Sequence, residues 1–202
     1  MITLRSRDTS SAVQGEADQY NQMIVSAQGA KFQEAVLDGR MFSVANATKV
    51  ATTAGVTTTW TGLAISNPTG SGKNVIVHEF GYALMIAAVV AAGNDALVGL
   101  QTASIATPVS ALTKQNCLDG CSADSSVVYA DDGATLVGPV LKKMLSSLGE
   151  EDTATGLFPA PPSVYRPNGA LILPPGRTVA TYTTLATTAC LVFHFVWEEI
   201  DE

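Results

Sequence analysis

Residues 56–86 read VTTTWTGLAISNPTGSGKNVIVHEFGYALMI, and this stretch decides the fold class. A Thr-rich segment runs into a turn at residues 67–73, and a long apolar segment comes after it. We read it as a β-hairpin. Thr57, Thr59 and Thr61 share one face of the first strand, and Val56, Trp60 and Ala64 the other. In the second strand Ile76, His78, Phe80, Tyr82, Leu84 and Ile86 fall on one side. Val77, Glu79, Gly81, Ala83 and Met85 fall on the other, so the pattern predicts a strand covered on both faces.

The turn, PTGSGKN, has the look of a phosphate-binding loop. That motif needs a Gly five residues before its Gly-Lys pair and a Ser or Thr after the Lys. Asn67 and Asn74 occupy those positions. A phosphate loop must also open a helix, whose first N–H groups hold the anion. Here the chain runs on into Val75-Ile76-Val77, β-branched and strand-forming. A glycine-rich turn explains the run, and nucleotide binding is not expected.

Outward from this stretch, residues 41–202 are rich in Thr, Val, Ala and Gly. Turn residues recur at short intervals, the rhythm of an antiparallel β-sandwich or barrel. Strands are predicted at 41–45, 49–53, 96–105, 126–129, 139–144, 170–173, 177–184 and 189–197. Gly93-Asn94-Asp95 reads as a turn, residues 87–93 as more strand or a short helix, residues 106–133, which end in Asp131-Asp132-Gly133, as a long surface excursion, and residues 149–162 as a loop. Pro174-Pro175-Gly176 suits a type II turn, with Arg177 opening the return strand. Residues 189–197 alternate most cleanly: Leu191, Phe193, Phe195 and Trp197 against Val192, His194 and Val196. The closing Glu198-Glu199-Ile200-Asp201-Glu202 reads as a solvated acidic tail. Upstream, residues 1–40 read as a polar arm, extended or mobile over residues 1–20. The 3–4 spacing of Ile24, Ala27, Lys31 and Ala35 predicts one short helix within 21–38, capped by Gly39. The alternative is an irregular arm that orders against a partner. The domain organisation expected is thus an arm, 1–40, and a β-sandwich, 41–202.

Composition bounds the function. The 202 residues carry a net charge of −7, with 47% hydrophobic and only 14% charged residues. An acidic chain without a basic run is a poor nucleic-acid binder. So little charge suggests surface covered by other subunits. The first residues, MITLRSRDTSSAVQGE, have no apolar core and are not expected to act as a secretory signal. The longest apolar run, 83–92, is too short to span a membrane. Cys117, Cys121 and Cys190 form no zinc pattern and fit free thiols in a reducing cytosol, with a Cys117–Cys121 disulfide as the alternative. No cofactor and no metal site is expected.

Catalysis finds little purchase. His78 and His194 sit among apolar strand residues, where a hydrogen-bonded core or interface role is expected before that of a base. The carboxylate pairs available for glycoside hydrolysis are Glu150-Glu151-Asp152 and Asp131-Asp132, both in expected loops and both lacking the spacing of a Ca²⁺ loop. Trp60, Tyr82, Phe193, Phe195 and Trp197 could line a sugar site, but strand alternation makes them core. No catalytic residue is assigned and no enzymatic activity is expected.

The order of parts resembles that of small virion proteins of tailed bacteriophages. The likeness lies in the polar arm, then KFQEAVLDGRMFSVAN, VTTTWTGLAISNPTGSGKNVIV, LILPPGRTVATYTT and FHFVWEE, over roughly residues 30–86 and 165–200. The resemblance implies an all-β, antiparallel jelly-roll-like sandwich that trimerises and decorates or cements the capsid shell. The partner would be the major capsid protein or another virion protein, with no nucleic acid and no membrane. The location implied is the virion, assembled in the host cytoplasm. A carbohydrate-binding or fibre-anchoring module of the virion is the alternative.

Overall fold

The chain divides into two units, residues 1–34 and 35–202. The structure, a computed structural model, describes residues 3–5, 12–14, 16–17, 23–24, 31–85, 97–105, 111–147 and 163–202. The expectations for residues 87–93, Gly93-Asn94-Asp95 and 149–162 lie outside these. In the first unit β1 (Thr3–Arg5) pairs with β2 (Ala12–Gln14), and β3 (Glu16–Ala17) with β4 (Met23–Ile24). The one short helix expected within 21–38 is α1 (Gln33–Leu37), while Ile24, counted toward its spacing, lies in β4. Gly39 does cap it, at φ 68°, with its N–H on the Val36 carbonyl at 2.9 Å. The division falls ahead of the expected boundary at 40 because the residues from 35 onward already belong to the sandwich. Ala35 is buried, and the Arg40 carbonyl accepts the Glu199 N–H at 3.0 Å.

The second unit continues with β5 (Met41–Ala45), β6 (Val50–Thr52), β7 (Thr59–Asn67), β8 (Lys73–Leu84) and β9 (Leu97–Ile105). Then come β10 (Gln115–Asn116), β11 (Tyr129–Ser147), β12 (Ser163–Tyr165), β13 (Ile172–Leu173), β14 (Arg177–Thr183) and β15 (Thr187–Asp201). One sheet runs β10-β5-β15-β8-β12, with β13 also on β8 and β6 on β15. The other, β11-β7-β14-β9, closes on itself. The strand ladders of both sheets are antiparallel. Leaving out β6 and β10 and taking β12–β13 together, the strands alternate between sheets except at β9 and β11, which follow one another in the same sheet. First pairs with last, second with next-to-last: the strand order of a jelly roll. The expected all-β antiparallel sandwich is what the chain forms.

Residues 56–86 are not a hairpin. β7 pairs with β11 and β14, β8 with β12, β13 and β15, so the turn at 67–73 arches from one sheet to the other. Leu63 and Ile65 of β7 and Val75 and Val77 of β8 enter the same core from facing sheets. Pro174-Pro175-Gly176 is likewise an arch, since β13 and β14 lie in different sheets. Asn67 ties the two arches together. Its Nδ2 donates to the carbonyls of Lys73 at 2.7 Å and Leu173 at 2.8 Å, and its own carbonyl accepts the Gly176 N–H at 2.8 Å.

A second expectation fails at β8. Its register against β15 shifts between Val196 and Trp197, leaving His78 as an extra residue. The bulge turns His78 and Glu79 both outward and switches the buried set from Val75 and Val77 to Phe80 and Tyr82. The strand looks apolar on both faces because its phase changes midway. Three other assignments change as well. Residues 126–129 and 139–144 belong to, or adjoin, the single long strand β11, and Asp131-Asp132-Gly133 is a bulge within it, not the end of a surface excursion. The acidic tail is strand as far as Asp201, and Glu199 is 1% exposed.

Two cores result. The larger lies between the sheets around Phe42, Phe80, Phe193, Phe195 and Trp197. The smaller, Trp60, Ala64, Ala103, Leu136 and Ala180, draws on all four strands of the closed sheet. Its alanines suit the narrow bore of a four-stranded ring. Gly62 sits at φ 149°, where a Cβ would overlap Thr181 Oγ1 and the Trp60 ring.

Asn67→Ala should test the arches. It strands the buried Leu173 carbonyl, while the part-buried Lys73 carbonyl keeps Ser71 Oγ at 3.3 Å and Asn67 Oδ1 itself makes no hydrogen bond to protein. A loss of about 1–3 kcal/mol by urea denaturation is expected from one unsatisfied buried group. A loss within about 0.5 kcal/mol, the usual range of a surface change, would contradict the clasp.

Candidate functional site

The outward face of the larger sheet carries the densest titratable chemistry among the described residues. The β8 bulge places His78 and Glu79 side by side there, and β15 contributes His194 and Glu198. Two matching arrays form. His78 Nε2 lies 3.1 Å from Glu198 Oε2, while the other oxygen of Glu198 accepts from the Arg40 guanidinium. His194 Nε2 lies 3.1 Å from Glu79 Oε1, while Glu79 Oε2 accepts from Arg166 at 2.9 Å. Each carboxylate thus holds an imidazole on one oxygen and a guanidinium on the other. Gly81, facing His194 across the ladder, is glycine because a Cβ would overlap the imidazole. Burial pushes the Glu79 carboxyl up, but hydrogen bonds from His194 and Arg166 and their charges outweigh it and hold the group below its usual range.

A histidine steered by a carboxylate is two parts of a nucleophilic triad. The third is not found for His194: among the described residues no Ser, Thr or Cys side chain hydrogen-bonds its ring. The thiols are not primed either. Cys117, Cys121 and Cys190 are all free, and burial pushes Cys117 and Cys190 up, away from thiolate. No group of three metal-ligating side chains occurs among the described residues.

The other candidates are dispersed. Asp131 is buried, and its Oδ1 accepts the Gly133 N–H at 3.1 Å; burial pushes its carboxyl up. It fastens the β11 bulge, and Asp132 beside it is exposed. Glu150-Glu151-Asp152 lie outside the described residues. Trp60, Tyr82, Phe193, Phe195 and Trp197 are all buried and offer no platform for a sugar. No helix among the described residues is long and apolar enough to cross a membrane.

Sequence reasoning missed the most unusual group, Glu199. Its carboxylate is wholly buried and accepts from Ser126 Oγ at 2.6 Å, the Val127 N–H at 3.1 Å and the Trp197 indole at 3.2 Å. Lys73 Nζ stands 3.6 Å away. Lys114 lies close to the same segment, donating to the carbonyls of Ser126 at 3.0 Å and Val128 at 2.6 Å; burial lowers its pKa. The signal was the inward alternation of Phe193, Phe195 and Trp197, carried one step further. An open depression lies between Lys114 and the arch residues Pro68–Ser71, but the amine is largely occupied by carbonyls. The glycine-rich run thus serves the sheet crossing.

Because the folded protein prefers ionised Glu79, the stability this group adds is complete above its ordinary pKa of 4.5. It is lost as pH falls through the lowered folded value. Acidification below pH 4.5 should therefore destabilise the protein more steeply than Glu79→Gln, read as melting temperature against pH; equal slopes would contradict the array. In comparisons with known proteins, no family model, no curated protein and no solved structure matches this chain.

Proposed function

We propose that this chain is a structural, non-enzymatic virion protein, which decorates or cements a bacteriophage head shell as an oligomer, a homotrimer by preference. The observation that carries the reading is the jelly-roll strand order joined to a separate N-terminal unit, residues 1–34. A fold alone does not assign a function. The reading is further supported by the resemblance of the sequence to small phage virion proteins and by its low charge, 14%. The ionisable groups add to it. Glu79, Glu198 and Glu199 are engaged in cross-strand contacts that stiffen the sheet rather than in a cleft. In this role the sandwich supplies the rigid body and the N-terminal unit grips the shell, with the major capsid protein as partner.

Removing residues 1–34 tests the division of labour. The remaining chain should keep its melting temperature and its number of copies per oligomer, yet lose capsid binding by about tenfold or more, the equivalent of a small interface. Undiminished binding to purified capsids would overturn the assignment of grip to this unit.

A further inference from the structure

Strand β11 changes partner along its length. Tyr129–Thr135 pair with β7, and from Leu136 onward β9 is its only ladder partner among the described residues. Beyond the Leu136 N–H, which the Thr58 carbonyl accepts at 2.7 Å, that second half has no strand on its other backbone edge among the described residues. It also carries an unusual run: Val140, Leu141, Lys142, Lys143 and Met144 are all exposed, Val140 at 63%. Strand residues alternate faces, so neither face is covered here. Edges are usually blunted, and Pro139 and three register shifts do this in part, yet apolar side chains remain in the open.

Beside the edge runs a groove of about 430 Å³ between β11 and the arch from β13 to β14. Val140 and Ile172, the latter 50% exposed, give it an apolar lining, and Lys142 and Arg177 reach it as cations. The charge is notable in a chain with 18 acidic and 11 basic residues. Arg40, Lys73 and Arg166 are each matched to a carboxylate. Lys142, Lys143 and Arg177 have no carboxylate partner among the described residues; Lys143 rests over the Tyr165 ring, 4.5 Å from its centre. Lys31, Lys49 and Lys114 also lack a carboxylate ion pair among the described residues, but they lie elsewhere, and Lys142, Lys143 and Arg177 are the three such cations beside the bare apolar edge.

We propose that β11 from Leu136 to Ser147 is a docking strand for an extended acidic segment of a partner protein, bound by strand addition. Main-chain hydrogen bonds would satisfy the free edge. Every second side chain of the added strand would face the groove, apolar and acidic in turn, covering Val140 and Ile172 and meeting Lys142 and Arg177. A second copy of β11 fits poorly: antiparallel pairing of residues 140–144 with themselves brings the lysines of both copies together, and like charges across a ladder repel. The inference does not depend on a virion role.

The test uses the full chain and two labelled, end-blocked peptides of about eight residues, the reach of one added strand: in both, threonine alternates with the groove-facing residues, which are valine and glutamate in turn in one peptide and valine and lysine in turn in the other. Anisotropy should show the acidic peptide binding about tenfold or more tightly than the basic one, an advantage shrinking at high salt. Lys142→Glu with Arg177→Glu should abolish that preference without moving the melting temperature. Amide exchange should slow within residues 136–147 when the acidic peptide is bound, a readout independent of the variants. Equal binding of both peptides, binding of neither, or protection elsewhere would overturn the proposal. So would exchange protection of residues 136–147 that depends on protein concentration without peptide, since a second copy would then be the occupant.

Discussion

The architecture depends on one side chain amide at the crossing of two sheets. Asn67 ends β7, and its Nδ2 binds the first carbonyl of β8 and the last of β13. These carbonyls belong to the two arches that carry the chain across the sandwich. An arch, unlike a hairpin, gains no ladder of its own, so its backbone groups must be satisfied otherwise. Asn67 does this for both arches at once, and the Gly176 N–H on its carbonyl closes the arrangement. With the arches fixed, Leu63 and Ile65 face Val75 and Val77 across a shared core.

The charged groups are distributed according to the same layering. Inside, Glu199 holds Ser126 and Val127 against β15. Removing a partner from a buried carboxylate typically costs about 3–5 kcal/mol, so this clamp governs the placement of residues 111–128. Outside, the Arg–Glu–His arrays cross the ladders of the larger sheet. Exposed pairs of this kind contribute at most about 1 kcal/mol each, and their effect lies in register and orientation more than in stability. The bulge at His78 makes both arrays possible, because it brings two consecutive polar residues to one face.

The fold class was legible because it rests on local signals: alternation in 189–197, punctuation by Pro-Pro-Gly, and the cap at Gly39. Strand partners were not. A turn flanked by two apolar strands reads the same whether it closes a hairpin or an arch, since the difference lies in which distant strands accept the hydrogen bonds. The phase change in β8 was hidden because alternating residues on both faces were apolar or small. Asp131-Asp132-Gly133 has the composition of a loop, but Asp131 uses its carboxylate to hold a bulge inside β11. Glu199 was misplaced by composition: five residues rich in acid look solvated unless the alternation ahead of them is traced to the end. For the helix, Ile24 and its neighbours satisfied the spacing, yet Met23–Ile24 found a strand partner. The candidate groups were named in advance, but not their pairings: His78 with Glu198 and His194 with Glu79 depend on ladder register.

The functional account joins a rigid jelly roll, a separate N-terminal unit and a surface with little charge. Such a body suits assembly, where shape and many weak contacts matter more than one reactive centre. In that proposal the chain works as a closed oligomer, its copies related by symmetry through surface other than the β11 edge. The most direct measurement is the solution mass of the purified protein by light scattering. The account predicts a mass near three times the 20.9 kDa of one chain, unchanged on dilution. A monomer that persists at high concentration would contradict it.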